Sequence, residues 1–124
     1  MLMRTLAGHR GWVKSVAITP DGCYAVSASS DRTLKVWELA SGHEMFTLAG
    51  HADQVLGVAV TPDGRHAISA SRDKTLKVWQ LADGTEVHTL AGHTAWVRGV
   101  AVTPDGRKVV SASSDWTLKV WQLV

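Results

Sequence analysis

The chain has 124 residues, of which 45% are hydrophobic and 19% charged, the composition of an ordinary soluble globular domain. The 13 basic and 11 acidic residues give a formal net charge of +2 without a concentrated basic stripe, which argues against a nucleic-acid partner. No apolar run approaches the roughly 18 residues of a membrane span, and Cys23, the single cysteine, cannot form an intrachain disulfide. We therefore predict a cytoplasmic protein with neither a nucleic-acid nor a membrane partner.

The chain repeats itself with a constant period. His9, His51 and His93 each follow a glycine, and 51 − 9 = 93 − 51 = 42. The same spacing relates three Thr-Pro-Asp-Gly segments and three Thr-Leu-Lys-Val-Trp segments. We place the three repeats at approximately residues 5–46, 47–88 and 89–124.

Each period predicts four short β-strands, because its segments are rich in Val, Ile, Thr and Trp and are bounded by turn residues. In the second copy the predicted strands are Val55–Val60, His66–Ala70, Thr75–Leu81 and Glu86–Leu90. The Thr-Pro-Asp-Gly segment predicts a type I turn, and the Asp-Gly pair before the last strand predicts a two-residue hairpin. Because these strands carry apolar residues on both alternating faces, each sheet should be covered on both sides by neighbouring sheets.

The Gly-His pair, the Thr-Pro-Asp-Gly turn, the Ser-Ala-Ser strand and the Thr-Leu-Lys-Val-Trp strand resemble the WD-repeat signature of β-propellers. In that family each repeat contributes one four-stranded blade around a central channel. The resemblance implies an all-β chain with three blades of four antiparallel strands. The Trp-Asp pair that names the family is Trp37-Glu38, Trp79-Gln80 and Trp121-Gln122 here. Since propellers contain about four to eight blades, three blades predict a closed ring formed by oligomerisation.

The third copy lacks the segment that forms the last strand in the first two copies. Residues 1–7 match 43–49 in phase, so we expect them to act as the outer strand of another chain's last blade. A head-to-tail contact between identical chains generates a ring when the rotation closes, so we expect a cyclic assembly. We favour a homotrimer with nine blades at about 40° each over a homodimer with six at about 60°, because the WD-repeat propellers that the chain resembles favour seven or eight blades, which require about 45–51° each.

Each copy also carries a serine, a histidine, an aspartate and a tryptophan at fixed spacing. The first three residue types form the acyl-transfer constellation, but no serine here lies in a Gly-x-Ser-x-Gly elbow. The resemblance implies instead a structural tetrad linked by hydrogen bonds. Its members are His9, Ser27, Asp31 and Trp37; His51, Ser69, Asp73 and Trp79; and His93, Ser111, Asp115 and Trp121. We predict no catalytic residue, no cofactor and no metal site, since metal-ligand motifs such as Cys-x-x-Cys do not occur.

Positions that vary between the copies are the candidates for binding, because function usually lies in loops on a constant frame. The resemblance implies a partner-binding face around the loop after each Gly-His pair and just before each tetrad aspartate. In this chain the face comprises Trp12, Lys14, Ser30, Gln54, Leu56, Arg72, Trp96, Arg98 and Ser114. Trp and Arg are favoured binding anchors, so we expect a protein or peptide with acidic and apolar groups. In the alternative interpretation, Trp12 and Trp96 only pack over their own loops.

Three classes of function follow. The first is a non-enzymatic WD-repeat scaffold that binds a protein or peptide and self-assembles into a closed propeller. The second is an engineered or excised propeller fragment whose behaviour is purely structural self-assembly, an interpretation that the high similarity among the copies supports. A Ser-His-Asp hydrolase is the third, and it would require one copy to break the pattern chemically, which none does.

Overall fold

A computed structural model describes residues 1–123, and every regular element among them is a β-strand. The strands of the first sheet are β1 (Val13–Ile18), β2 (Tyr24–Ser29), β3 (Thr33–Glu38) and β4 (Glu44–Ala49). Those of the second are β5 (Val55–Val60), β6 (His66–Ser71), β7 (Thr75–Gln80) and β8 (Thr85–Ala91). The third sheet contains β9 (Val97–Val102), β10 (Lys108–Ser113) and β11 (Leu118–Gln122). The all-β prediction is confirmed, and the predicted strand bounds of the second copy differ from these by at most one residue.

Within each sheet the strands pair antiparallel with their neighbours in chain order, but the third sheet has three strands where the others have four. Its edge strand β11 corresponds to β3 and β7, each of which pairs with an outer strand on its far side. Among residues 1–123 no strand pairs with β11 on that side. The third sheet therefore has an open edge, which is a template for another strand.

Residues 1–7 form no strand, yet they lie against the first sheet as β4 lies against the second. Gly42 lies beside the side chain of Arg4, and Gly84 lies beside Phe46, the residue one period after Arg4. The first three residues of the chain are apolar and exposed. The N-terminal segment thus follows the path of an outer strand of a preceding blade.

The core lies between the sheets, and the two outermost apolar faces are uncovered. On the third sheet, Leu118 is 70% exposed and Val120 is 67% exposed. On the first sheet, Val13 is 58% exposed and Val16 is 60% exposed. Of the residues at the same positions inside the stack, Val100 is half-buried and the others are buried, namely Leu34, Val36, Val55, Val58, Leu76, Val78 and Val97. The two uncovered faces are therefore copies of the faces that pack on each other within the chain.

One of the two predicted turn types is present in the structure and the other is not. Gly22 N–H donates to the Thr19 carbonyl at 2.9 Å, as the predicted type I turn requires. The prediction of a two-residue hairpin was wrong. Gln80 of β7 and Thr85 of β8 are the last paired residues, and four residues connect them. Gly84, with φ of +74°, supplies the one left-handed residue of this longer connection.

In each sheet, a non-glycine residue in the turn between the second and third strands also adopts a left-handed conformation. Arg32 and Lys74 have φ of +76° and Trp116 has φ of +75°, which costs about 1–2 kcal/mol for a residue with a Cβ. Trp116 is 98% exposed, so burial of the indole does not offset this cost. We expect Trp116→Gly to raise the free energy of unfolding by about 1 kcal/mol, as measured by urea denaturation. In the control Ala91→Gly, an exposed strand position, stability should fall by about 0.5–1 kcal/mol. A loss of stability in Trp116→Gly would contradict the prediction.

Candidate functional site

The predicted tetrad residues meet in all three sheets. In the second, the ring of His51 places Nδ1 2.7 Å from Asp73 Oδ2 and Nε2 2.6 Å from Ser69 Oγ. The Trp79 indole N–H donates to the same serine oxygen at 2.9 Å. The equivalent contacts in the first and third sheets measure 2.6–2.9 Å. Each tetrad joins a loop histidine that follows one blade to a serine and a tryptophan on two strands of the next.

The tetrad aspartates are ionised acceptors. Asp73 accepts from the Thr75 hydroxyl at 2.6 Å, the Thr75 N–H at 3.0 Å and the Ala52 N–H at 3.1 Å, in addition to His51. Burial opposes ionisation, but the hydrogen bonds from His51 and Thr75 outweigh it and hold the pKa of Asp73 well below its usual range. The pKa of Asp31 is lowered against the same opposing burial.

This ionisation fixes the direction of the remaining hydrogen bonds. A carboxylate can only accept, so Nδ1 of His51 carries a proton and donates to Asp73. In the neutral ring, Nε2 then accepts from the Ser69 hydroxyl, while the Trp79 N–H donates to the serine oxygen. Every polar side-chain group of the network is paired, which is the condition for a stabilising buried network.

The tetrad resembles a hydrolase triad in its contacts but not in its access to solvent. Ser69 and Ser111 are fully buried, and the side chains of His51 and His93 are 0% exposed. An acyl group cannot approach a serine oxygen that is buried beneath an indole N–H. The arrangement therefore supports a structural role in each blade, which we retain as our interpretation.

A second repeated contact was not predicted from the sequence. Lys35 Nζ lies 2.9 Å from Glu44 Oε1 and 2.9 Å from Thr47 Oγ1, and therefore connects β3 to β4. Lys77 and Glu86 form the same ion pair at 3.0 Å between β7 and β8. The signal was present, because both copies carry lysine and glutamate at the same spacing.

The predicted binding face contains an exposed aromatic residue at the start of the first sheet. Trp12 is 75% exposed, and its side chain does not pack into the fold. Its backbone N–H donates to Ser30 Oγ at 2.7 Å, which fixes the loop. Lys14 Nζ lies 4.7 Å from the centroid of the Trp12 ring, a cation–π contact at the surface.

The same face carries a second aromatic and cationic group at the boundary between the second and third sheets. Arg72 Cζ lies 3.6 Å from the Trp96 ring centroid and Arg98 Cζ lies 5.1 Å from it. Arg98 Nε–H donates to Ser114 Oγ at 2.6 Å. We call this group the Arg72–Trp96–Arg98 cluster. Trp96 is partly covered by the two guanidinium groups, unlike Trp12.

The remaining predicted face residues lie at the equivalent boundary between the first and second sheets. Gln54 and Leu56 occupy the positions of Trp96 and Arg98, and both are partly buried. Ser30 occupies the position of Arg72. This boundary therefore presents no cation of its own on the predicted face.

Two classes of site are missing from the part of the chain that the structure describes. Within residues 1–123, no three His, Cys, Asp or Glu side chains are grouped so that they could hold a metal ion. Over the same residues, no helix has the length and apolarity that crossing a membrane requires.

The three blade-like sheets and their tetrads agree with the comparisons to known proteins. The family described as "WD domain, G-beta repeat" matches residues 1–38, 42–80 and 84–122. The chain belongs to this WD-repeat family. In fold it is similar to the protein of a solved structure entitled "Structure of U3-55K", with a TM-score of 0.94 and 28% sequence identity. That similarity covers 97% of this chain and 38% of the other.

Curated relatives match over single WD repeats. Pre-mRNA-splicing factor prp46 of Emericella nidulans is 49% identical over 41 residues, which is 33% of this chain and 9% of that protein. Pleiotropic regulator 1 of Homo sapiens is also 49% identical over 41 residues, which is 8% of its length. Nuclear distribution protein PAC1 of Scheffersomyces stipitis is 53% identical over 36 residues, or 7% of its length. The matches thus cover less than a tenth of each of these relatives.

Proposed function

We propose that the chain is a non-enzymatic scaffold whose loop face binds a protein or a peptide. The exposed Trp12 indole carries this proposal, because an exposed tryptophan on a loop fixed by a backbone hydrogen bond is a favoured binding anchor. Lys14, Arg72 and Arg98 surround the two tryptophans of the face with positive charge. The partner that complements such a surface has acidic and apolar groups.

The names of the relatives describe proteins much longer than this chain. Of the relatives that match single repeats, one is named as a pre-mRNA-splicing factor and one as a pleiotropic regulator, and those names describe the longer proteins. The cytoplasmic location remains a prediction from composition.

Removing both tryptophans tests the binding face. In Trp12→Ala with Trp96→Ala, a peptide selected for binding to the immobilised wild-type chain should lose about 2 kcal/mol or more of binding free energy. Isothermal titration calorimetry measures the loss, and circular dichroism should show an unchanged fold.

The matched control is Trp116→Ala, which removes an exposed tryptophan that lies in the turn beside Ser114 but is not among the predicted face residues, and which should leave the affinity within about twofold. If the double variant bound the selected peptide as tightly as wild type, the partner surface would be the opposite face or the rim. If no peptide could be selected at all, the purely structural interpretation would replace the scaffold.

We further propose that residues 1–7 of one chain complete the third blade of another by pairing with β11. The open edge of β11 and the outer-strand path of residues 1–7 support this pairing. The uncovered apolar faces around Val16 and Val120 support it too, because their equivalents are buried against each other inside the chain. Such a contact is heterologous, so it generates a ring when the rotation closes.

The number of chains in the ring follows from the angle per blade. Nine blades require about 40° each and six require about 60°, whereas seven or eight require about 45–51°. The angle per blade in a nine-bladed ring departs less from that of seven or eight blades than the angle in a six-bladed ring does. We therefore favour a homotrimer over a homodimer. Under this proposal the repeats remain 5–46, 47–88 and 89–124. The boundaries of these repeats fall within the outer strands β4 and β8 and not between the sheets.

A further inference from the structure

The Arg72–Trp96–Arg98 cluster has hydrogen-bonding capacity that the chain does not use. Within residues 1–123 the ion pairs join His to Asp or Lys to Glu, and none includes Arg72 or Arg98. Arg72 Nε is shielded from solvent and forms no hydrogen bond among the described residues. A guanidinium has five N–H donors, so most donors of the cluster are available to a ligand.

The stacking on Trp96 leaves these donors in a defined orientation. Arg72 Cζ lies 3.6 Å from the ring centroid, so the guanidinium lies over the indole, and its two terminal nitrogens remain available to a ligand. Arg98 is held through Nε by Ser114 at 2.6 Å, which leaves its terminal nitrogens free. Two positive charges beside one indole repel each other, and an anion between them would relieve that repulsion.

The rest of the fold does not require this cluster. Ser30, Gln54 and Leu56 occupy the equivalent positions between the first two sheets, and that boundary is packed without any arginine. The arginines are therefore an addition to a frame that forms without them.

We infer that the Arg72–Trp96–Arg98 cluster binds a glutamate or aspartate side chain of an acidic peptide. This inference rests on the proposed scaffold function and names the chemistry of its partner. A carboxylate matches the planar fork of a guanidinium and accepts two parallel hydrogen bonds from it. The Trp96 indole offers an apolar surface beside the charged pair, which suits a peptide with an adjacent leucine. A nucleic acid needs a longer run of cations than this boundary provides, because its affinity depends on many phosphate contacts.

Matched peptides test the inference on the full chain. The probe is a fluorescein-labelled Gly-Ser peptide with two glutamates and one leucine, and its control replaces both glutamates with glutamine. We expect the glutamate peptide to bind about tenfold tighter or more by fluorescence polarisation, since hydrogen bonds to charged groups are strong. Its addition should also shift the Arg72 Nε–H signal in nitrogen-15 NMR spectra.

Variants locate the binding. Arg72→Gln and Arg98→Gln should each weaken the glutamate peptide about tenfold. Arg72→Lys should also weaken it several-fold, because an ammonium keeps the charge but lacks the fork. Arg107→Gln is the matched control, since Arg107 lies in the turn at the opposite end of the third sheet and should leave the affinity unchanged.

Three results would overturn the carboxylate assignment. These are equal binding of the glutamate and glutamine peptides, equal effects of Arg72→Gln and Arg107→Gln, and binding of a phosphoserine peptide or a single-stranded oligonucleotide without binding of the glutamate peptide. The scaffold proposal has a separate readout. A selected peptide that requires Trp12 and Trp96 but shows no preference for glutamate would overturn this inference alone, whereas a chain that binds no peptide would overturn both.

Discussion

Replacing Asp73 with alanine is expected to lower the free energy of unfolding by about 1–3 kcal/mol at pH 7, because buried donors lose their acceptor. The donors are His51 Nδ1–H, both donor groups of Thr75 and the Ala52 N–H. Urea denaturation of the variant and the wild type measures the difference. Asp53→Ala is the matched control, since within residues 1–123 the Asp53 Oδ1 atom accepts only from the adjacent Gln54 N–H, and its effect should be about 0.5 kcal/mol or less.

The same site predicts a dependence on pH. The pKa of Asp73 in the folded protein lies below the ordinary value of 3.8. Its stabilising contribution is therefore complete above that value and is lost as the pH falls toward the folded pKa. The stability difference between wild type and Asp73→Asn should begin to shrink as the pH falls below about 5 and should keep shrinking into strongly acidic solution, because the folded pKa lies well below 3.8.

The structural interpretation of the tetrads would fail on one clear result. If the wild type hydrolysed an ester and Ser69→Ala abolished that activity without changing thermal stability, the serine would be a nucleophile.

Introducing a charge on the open face of the third sheet is expected to abolish self-association. Val120 is 67% exposed in the single chain, so Val120→Asp should leave its fold intact. In the proposed ring the same position is buried like Val36 and Val78, and an unpaired carboxylate there costs about 3 kcal/mol or more. Light scattering should then give the mass of one chain.

The matched control places the same charge where assembly would not bury it. Val87 in β8 is exposed, and its equivalent Met45 remains exposed although the second blade packs beside it. Val87→Asp should therefore keep the oligomer mass of the wild type. Equal masses for both variants and the wild type would mean that the chains associate through another surface.

The strands could be predicted because their pattern is repeated, whereas the tetrads were implied by the resemblance to WD-repeat propellers. A period of 42 residues aligns three copies of each pattern, so chance matches are removed and every turn is seen more than once. The predicted length of the hairpin at Asp83-Gly84 was wrong. The number of connecting residues depends on the last pair that β7 and β8 form, which is Gln80 with Thr85. Local turn residues do not determine that register.

Contacts across blade boundaries could not be predicted from the sequence. Arg72 and Trp96 are 24 positions apart, on different sheets, and their stacking depends on how those sheets pack. The exposure of Trp116 likewise depends on its left-handed backbone, which turns the side chain outward. The resemblance named the positions of the binding face but not the partners that its side chains find within the chain.

The mass of the unmodified chain in solution tests the proposed assembly most directly. One chain has a mass of 13.3 kDa. Multi-angle light scattering at micromolar concentration should give three chain masses for the nine-bladed ring that we favour, while two chain masses would select the six-bladed ring. A folded monomer at this concentration would contradict the completion of the third blade by a second chain.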